Sequence, residues 1–157
     1  MATTGFRMAV STTALALVLS SGIGATGAQE VSPDPAEAGG DTGGISLELN
    51  TLQASETGCL LTFVAANGLG TSIEQASYEV VLFNADGLVE RMTVLDFQDL
   101  PTGRTRVRQF NLPQTQCDGI SRVLINDVAT CTGEGLSEET CIDRLSVASQ
   151  SDVELAN

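Results

Sequence analysis

The chain has 157 residues and a formal net charge of −13, with 20 acidic residues against seven Arg and with no Lys and no His. So acidic a composition lacks the basic surface that nucleic acids and anionic lipids require, and it favours solubility, accumulation of cations or a basic partner. Without His and Lys, the chain has no Ser-His-Asp triad, Cys-His pair, His-ligated metal, Schiff base or Ser-Lys dyad, which leaves carboxylate, hydroxyl and thiol chemistry.

The first element, at residues 1–28, has the pattern of a cleaved secretory signal peptide. Arg7 provides a positive start, an apolar run follows at 8–19, and small residues at 26–28 precede a predicted cleavage site, so that the mature chain begins at Gln29. The apolar run is shorter than the about 20 residues that cross a bilayer. We therefore expect export to the periplasm and no membrane span after the signal is removed.

A leader and one folded domain are predicted after the signal. Residues 29–44 are rich in Pro, Gly and acids and poor in apolar groups, which indicates a flexible acidic leader. From Ile45 onward apolar and polar residues alternate with period two, which predicts strands, and Asp86-Gly87 predicts a hairpin turn. The predicted strands are 45–50, 59–65, 78–83, 88–95, 104–112, 120–129 and 145–155, with one helical turn at 137–141.

About seven short strands separated by turn residues, with no long amphipathic helix, are typical of one fold class. We predict that residues 45–157 form a single all-β domain, an Ig-like antiparallel β-sandwich stapled by disulfides. The strand at 120–129 is the most apolar and is predicted to be central.

Four cysteines follow the signal, at positions 59, 117, 131 and 141. An even count in an exported chain indicates a disulfide framework, for which three connectivities are open. We favour Cys131–Cys141, because the polar, Gly-containing segment between them can bring its ends together, and this leaves Cys59–Cys117 as a long-range bridge. The chain has no Cys-x-x-Cys pair, which argues against a four-thiolate zinc site and a redox-active pair.

The middle of the chain carries turn and strand motifs that resemble the Ig-like FxLYD family. They are Asn67-Gly68, the strand at 78–84, Asp86-Gly87-Leu88-Val89, and Leu100-Pro101-Thr102-Gly103 before a strand that ends at Phe110. They cover about a third of the chain and imply an Ig-like sandwich.

The whole mature region resembles a set of small proteobacterial proteins labelled "Tat pathway signal sequence domain protein". The matching residues are Gly58-Cys59, Asp86-Gly87, 100–103, Cys117-Asp118, 122–128 with Cys131, and 141–145. This resemblance implies the fold and an exported location, and it brings no activity. Because the start of the chain has a single Arg7 rather than a twin-arginine pair, we expect the general secretory route.

Asn126 and Asp127 are candidate binding residues because they interrupt the most apolar strand. A carboxylate taken toward a core costs several kcal/mol unless it is hydrogen-bonded or paired. In a functional role, these residues contact a ligand or a metal at the strand end. In a structural role, which we favour, Asp127 caps backbone amides of the Cys131 loop or pairs with Arg122 or Arg144.

Arg104, Arg106 and Arg108 are the second candidate, because alternation places them on one strand face of an acidic protein. Three guanidinium groups in a row suit an acidic peptide or a phosphate. The structural alternative, which we favour, is pairing with acids such as Asp96 across the Pro101 turn, or protection of a sheet edge.

Acids at 134, 138, 139 and 143 crowd the loop between Cys131 and Cys141, but they lack the spacing of a calcium loop. We expect no metal and no cofactor.

Two functions from different classes remain open. The first is a non-enzymatic, monomeric periplasmic module that binds or supports another envelope protein through an edge strand or the arginine row, with no nucleic acid as partner. The second is a small hydrolase that uses Asp127 and loop carboxylates, with or without a metal. No catalytic motif supports the enzyme, and we favour the first.

Overall fold

Period-two alternation of apolar residues produces the strands of this domain, in a computed structural model that describes residues 43–157. The predicted signal peptide at 1–28 and all but the last two residues of the predicted leader at 29–44 lie outside the described residues. The strands are β1 (Ile45–Ala54), β2 (Gly58–Asn67), β3 (Ile73–Asn84), β4 (Val89–Leu100), β5 (Thr105–Pro113), β6 (Ile120–Thr132), β7 (Leu145–Ser149) and β8 (Glu154–Ala156). A 3-10 turn lies at Cys117–Gly119 and a short helix, α1, at Glu138–Asp143.

The strands form two four-stranded sheets, ordered β5-β2-β1-β7 and β4-β3-β6-β8. β1–β2 and β3–β4 are antiparallel hairpins. β2 also pairs with β5, and β3 also pairs with β6, both antiparallel. These crossed pairings are those of an Ig-like Greek key. The prediction of an all-β, disulfide-stapled sandwich is confirmed, with eight strands, and two edge strands pair in parallel (β7 with β1, β8 with β6).

The core lies between the sheets and contains a cluster of aromatic side chains. Phe97 contacts Phe63, Tyr78 and Phe110 edge to face, with ring centroids 5.0–5.8 Å apart. Around them pack fully buried aliphatic residues from both sheets, among them Leu47, Leu61, Val80, Leu82, Val123 and Ile125. Such aromatic pairs add about 0.5–1.5 kcal/mol each beyond the area they bury.

Asn67, at the end of β2, is a buried polar residue that joins two turns. Its amide group donates to the carbonyl oxygens of Leu100 (2.7 Å) and Thr71 (3.0 Å), and its side-chain oxygen accepts from the backbone N–H of Leu69 (2.9 Å). Both polar atoms of the side chain thus have hydrogen-bond partners, which replace the water that the side chain loses on burial. The β2–β3 and β4–β5 turns are held together at this end of the sandwich.

The prediction of one last strand at 145–155 is wrong, because the segment divides into β7 and β8, which belong to different sheets. The chain reverses at 149–153, where the Ser149 hydroxyl donates to the carbonyl of Val153 (2.6 Å) and contacts Ser151. Gln150 donates its backbone N–H to Leu49 (2.9 Å). Hydroxyls that bond nearby backbone compete with the strand ladder and favour a turn.

Two disulfides, Cys59–Cys117 and Cys131–Cys141, close the fold with the connectivity that the sequence favoured. Cys59–Cys117 joins β2 of one sheet to the turn that leads into β6 of the other. Cys131–Cys141 joins the end of β6 to α1, whose N-cap Ser137 accepts from the backbone N–H of Thr140 (3.3 Å). The disulfides indicate an oxidising, exported compartment. Within residues 43–157, no helix is long and apolar enough to span a bilayer.

Candidate functional site

Asn126 and Asp127 lie on a β-bulge in β6 and are exposed, so the cost of burial that made them candidates does not arise. Opposite them, Glu79 pairs with Asp127 while the next residue, Val80, pairs with Ile125, which makes Asn126 the extra residue. A bulge places two residues against one and re-aims their side chains.

The hydrogen bonds of this bulge are local. Asn126 donates to Glu79 Oε1 (2.6 Å), and Asp127 accepts from the backbone N–H of Val128 (2.8 Å). The two predicted ion-pair partners of Asp127 are engaged elsewhere: Arg122 lies over the Phe83 ring at 4.1 Å, and Arg144 donates to the Gly43 carbonyl (3.3 Å). Asp127 therefore bonds the amide of its own neighbour rather than capping the Cys131 loop or pairing with an arginine.

Two arginines of the row, Arg106 and Arg108, lie on β5 and clamp it to β4 across the open side of the sandwich. Arg106 and Arg108 each approach the Asp99 carboxylate at 3.2 Å. Arg108 also donates to two backbone carbonyls of β4, those of Phe97 (2.6 Å) and Asp99 (3.0 Å). The hydrogen bond from Arg106 is the main reason why the pKa of Asp99 lies below its usual range. Arg104 lies exposed in the turn before β5.

Pairing across the Pro101 turn occurs as the sequence favoured, but with Asp99 in place of Asp96. Gln98 has a positive φ of 60°, and the β3–β4 register shifts on either side of its partner, Ala76. This bulge turns Asp99 toward β5 and leaves the Asp96 carboxylate accepting from the Gln98 backbone N–H (2.8 Å). Two of the three guanidinium groups are thus committed to holding the edges together.

Within residues 43–157, four of the five exposed large apolar residues lie on β4 and in the turn before it, and the fifth, Val107, is 60% exposed on β5. Leu88, Val89, Met92 and Val94 are 53–63% exposed, and we call residues 88–94 the β4 edge segment. Among residues 43–157, β4 is the outer strand of its sheet and pairs with β3 alone. Exposed apolar side chains on a strand with an unpaired edge mark a site for protein association or aggregation.

Behind the β4 edge segment, an apolar row crosses the outer face of the sheet. Register places Met92 beside Val81, Val81 beside Leu124, and Leu124 beside Ala156. Of these, Met92 is the most exposed and Val81 is nearly covered. The row extends the apolar surface of the edge across all four strands.

Acidic residues lie at both ends of this apolar surface on β4 and beside it on β3 and β6, while Arg91 lies within the segment and Arg122 lies over the neighbouring Phe83 ring. Glu90 and Asp96 are exposed and stand two residues before Met92 and two residues after Val94. On β3, Glu79 lies opposite Val94, and Asp127 of the bulge lies opposite Glu79. Asp127 thus belongs to the rim of this surface, while the arginine row lies on the neighbouring edge strand.

Two of the other sheet edges are short, since β7 and β8 have five and three residues. The edge strand β5 has nine residues and one strongly exposed apolar side chain, Val107. In the second half of β4, Arg108 occupies backbone carbonyls. Sequence reasoning missed the β4 edge segment as a site. The sequence did carry a signal, since apolar residues at 88–95 occur at both odd and even positions beside a hairpin turn and so cannot all face the core. Whether such a strand lies at a sheet edge depends on strand order, which the sequence pattern does not show.

Two shallow crevices flank the Cys59–Cys117 bridge, with volumes of about 530 and 360 Å³. Asp118 lines both, Asp152 lines the smaller one, and Asp127 lines neither. Among residues 43–157, no group of three or more His, Cys, Asp or Glu is arranged to hold a metal ion.

Comparison with known proteins assigns no family. No family model matches the sequence, and no curated protein matches it. Among solved structures, the chain is similar to the Salmonella enterica trimeric lipoprotein SadB, at 12% identity and a TM-score of 0.39. The alignment covers 45% of this chain and 40% of that one. A likeness of this size assigns neither a fold nor a function.

Proposed function

We propose that this protein is exported to the periplasm and acts there as a non-enzymatic module that binds another envelope protein through the β4 edge segment. The exposure of Leu88, Val89, Met92 and Val94 on an unpaired edge strand is the observation that carries the proposal. Membership in the exported family that the sequence resembles is part of the same proposal.

The two disulfides support this role, because they tie both sheets together independently of any partner. A sandwich of this kind presents an edge strand on a rigid support, so that a partner binds without ordering the domain itself. The clamp from Arg106 and Arg108 fixes the second half of β4 in the same way. The apolar first half is left as the accessible part of that strand.

The residues that the hydrolase alternative names, Asp127 and the loop carboxylates, line neither crevice. Asp127 is exposed on a bulge outside both crevices, and the loop acids Glu134, Glu138, Glu139 and Asp143 are exposed as well. A catalytic carboxylate pair needs convergence on a concave site.

Export is tested by fractionating cells that express the full chain and sequencing the N-terminus of the periplasmic product. We expect a mature chain that begins at Gln29 with no free thiol. Retention of the full-length chain in the cytoplasm would refute the export part of the proposal.

Partner binding is tested by pull-down from the envelope fraction with the wild type and with Met92→Lys/Val94→Lys. We expect the wild type to enrich a defined protein and the double variant to lose at least tenfold of that enrichment. Val107→Lys is the matched control, since Val107 is 60% exposed on another edge strand, β5. Equal enrichment by all three proteins, or none over an unrelated acidic control, would contradict the proposal.

A further inference from the structure

The free part of the β4 edge has the length of an ordinary strand. Residues 91–96 pair with β3 in continuous register and span about 20 Å at the usual rise per residue, and added strands of five to six residues are typical of sheets. Beyond them, the Arg108 guanidinium bonds the carbonyls of Phe97 and Asp99. In the part of the chain that the structure describes, the edge is therefore unpaired over one strand length, and Arg108 covers it after that.

Side-chain alternation determines which partner residues would face the apolar surface. A strand added beside β4 lies about 4.8 Å away, and residues on its outer face stand next to Met92 and Val94. Apolar partner side chains at two alternate positions would cover these two residues. The row through Val81 and Leu124 continues the surface behind them.

The surrounding charge selects between a different partner and a second copy of this chain. Glu90, the extra residue of a bulge between Val89 and Arg91, and Asp96 flank the apolar pair along β4, and Glu79 and Asp127 lie beside Val94 across the sheet. In the antiparallel register that sets Met92 beside Val94, a second copy would place Glu90 against Asp96, and like charges in opposed strands are destabilising. A segment with basic residues at its ends is attracted instead.

From the unpaired edge, the apolar pair and the acidic flanks, we infer that the partner presents an extended, positively charged segment that adds to β4 as a fifth strand of this sheet. Its outer-face side chains are two apolar residues spaced by two, with a Lys or Arg near each end of the segment. This inference rests on the proposed function and names the partner's chemistry. Binding by strand addition draws affinity from main-chain hydrogen bonds and specificity from alternate side chains.

A synthetic heptapeptide, Lys-Thr-Val-Thr-Val-Thr-Lys with blocked ends, is the probe, because it presents this pattern in either chain direction. Its dissociation constant for the disulfide-bonded protein is measured by NMR titration. Replacing both Lys by Glu should weaken binding at least tenfold at low salt, and raising the salt should shrink that difference. Replacing both Val by Ser should also weaken binding.

Two complementary N-methylated versions of the peptide test whether it binds as a strand. One carries N-methyl groups at its even positions and the other at its odd positions, so each blocks one edge of the peptide. Strand addition requires that one pattern abolishes binding and the other preserves it. Equal affinity for both versions, loss of both, or failure of the parent peptide to bind would overturn the inference.

Variants of the protein complete the test. Glu90→Lys should weaken the Lys-ended peptide and strengthen the Glu-ended one, and Val94→Lys should weaken both. The matched Val107→Lys control should change neither, and any response that it shares with Val94→Lys would count against the β4 edge. Sedimentation of the protein alone tests whether a second copy of the chain binds this edge instead. Self-association that Val94→Lys abolishes would show that the partner is a second copy and not a basic segment.

The peptide and pull-down results separate the two proposals. If enrichment of an envelope protein depends on Met92 and Val94 but the peptide does not bind as described, the binding role stands and strand addition is wrong. If the peptide binds as described and no envelope protein is enriched, the edge chemistry is right and the proposed function is wrong.

Discussion

The two disulfides should contribute unequally to stability, and the difference is predictable from their loops. Paired substitutions, Cys59→Ala/Cys117→Ala and Cys131→Ala/Cys141→Ala, remove each bridge without leaving a free thiol. The bridges close loops with sequence separations of 58 and 10 residues. In the chain-entropy model, these loops correspond to about 4 and about 3 kcal/mol of stabilisation.

Burial of the cysteines does not obscure this ranking. Each pair has one fully buried member, Cys59 or Cys141, and one that is less buried, Cys117 or Cys131. The packing lost on substitution is therefore similar for both pairs. The difference between the two variants should be about 1 to 2 kcal/mol, which reflects how strongly each bridge restricts the unfolded chain.

Urea unfolding followed by far-ultraviolet circular dichroism measures both free energies. We expect the variant without Cys59–Cys117 to have the lower midpoint of unfolding, and the variant without Cys131–Cys141 to lie between it and the wild type. Equal midpoints, or a reversed order, would show that loop length does not determine how much each bridge stabilises the protein. A large change in the denaturant slope would instead indicate altered compactness of the unfolded chain.

Three further predictions concern single side chains. Burial raises the pKa of Tyr78, the chain's one tyrosine, so unfolding becomes more favourable as pH rises above about 10, where the unfolded phenol ionises. Tyrosinate absorbance should appear only together with loss of circular dichroism, and gradual titration of the folded protein would contradict the burial of Tyr78. Pairing with Arg106 lowers the pKa of Asp99, so the pair stabilises the fold above about pH 3.9 and this stabilisation is lost as pH falls further. In Asp99→Asn, the free energy of unfolding should fall less steeply at acidic pH than in the wild type, and the same acid dependence in both proteins would contradict the pairing. Phe97→Ala should cost about 3–5 kcal/mol in urea unfolding because it empties the centre of the aromatic cluster, and a loss below 1 kcal/mol would contradict that placement.

Local patterns predicted much of this fold because they reflect local physics. Alternation at Ile45, Leu47 and Leu49 follows from the two faces of a strand, and the polar segment between Cys131 and Cys141 needed no knowledge of the rest of the chain. The Ser137 to Cys141 helical turn was recognisable in the same way. These features depend on neighbours in sequence.

The remaining features depend on residues that are distant in sequence. The bulge at Asn126 is visible only in the register against β3, and the positive φ of Gln98 decides that Asp99 rather than Asp96 meets the arginines. The turn at 149–153 separates residues whose alternation continues through it. That β4 is an edge strand follows from strand order, so the candidate surface could not be located from alternation alone.

Photo-crosslinking in intact cells tests the binding role most directly. A photoreactive benzoyl-phenylalanine replaces Val94 in one strain and Val107 in another, since both positions are more than half exposed on edge strands. We predict that Val94 forms an adduct with one defined envelope protein and that Val107 does not. No adduct at Val94, or the same adducts at both positions, would contradict the assignment of the β4 edge segment as the binding surface.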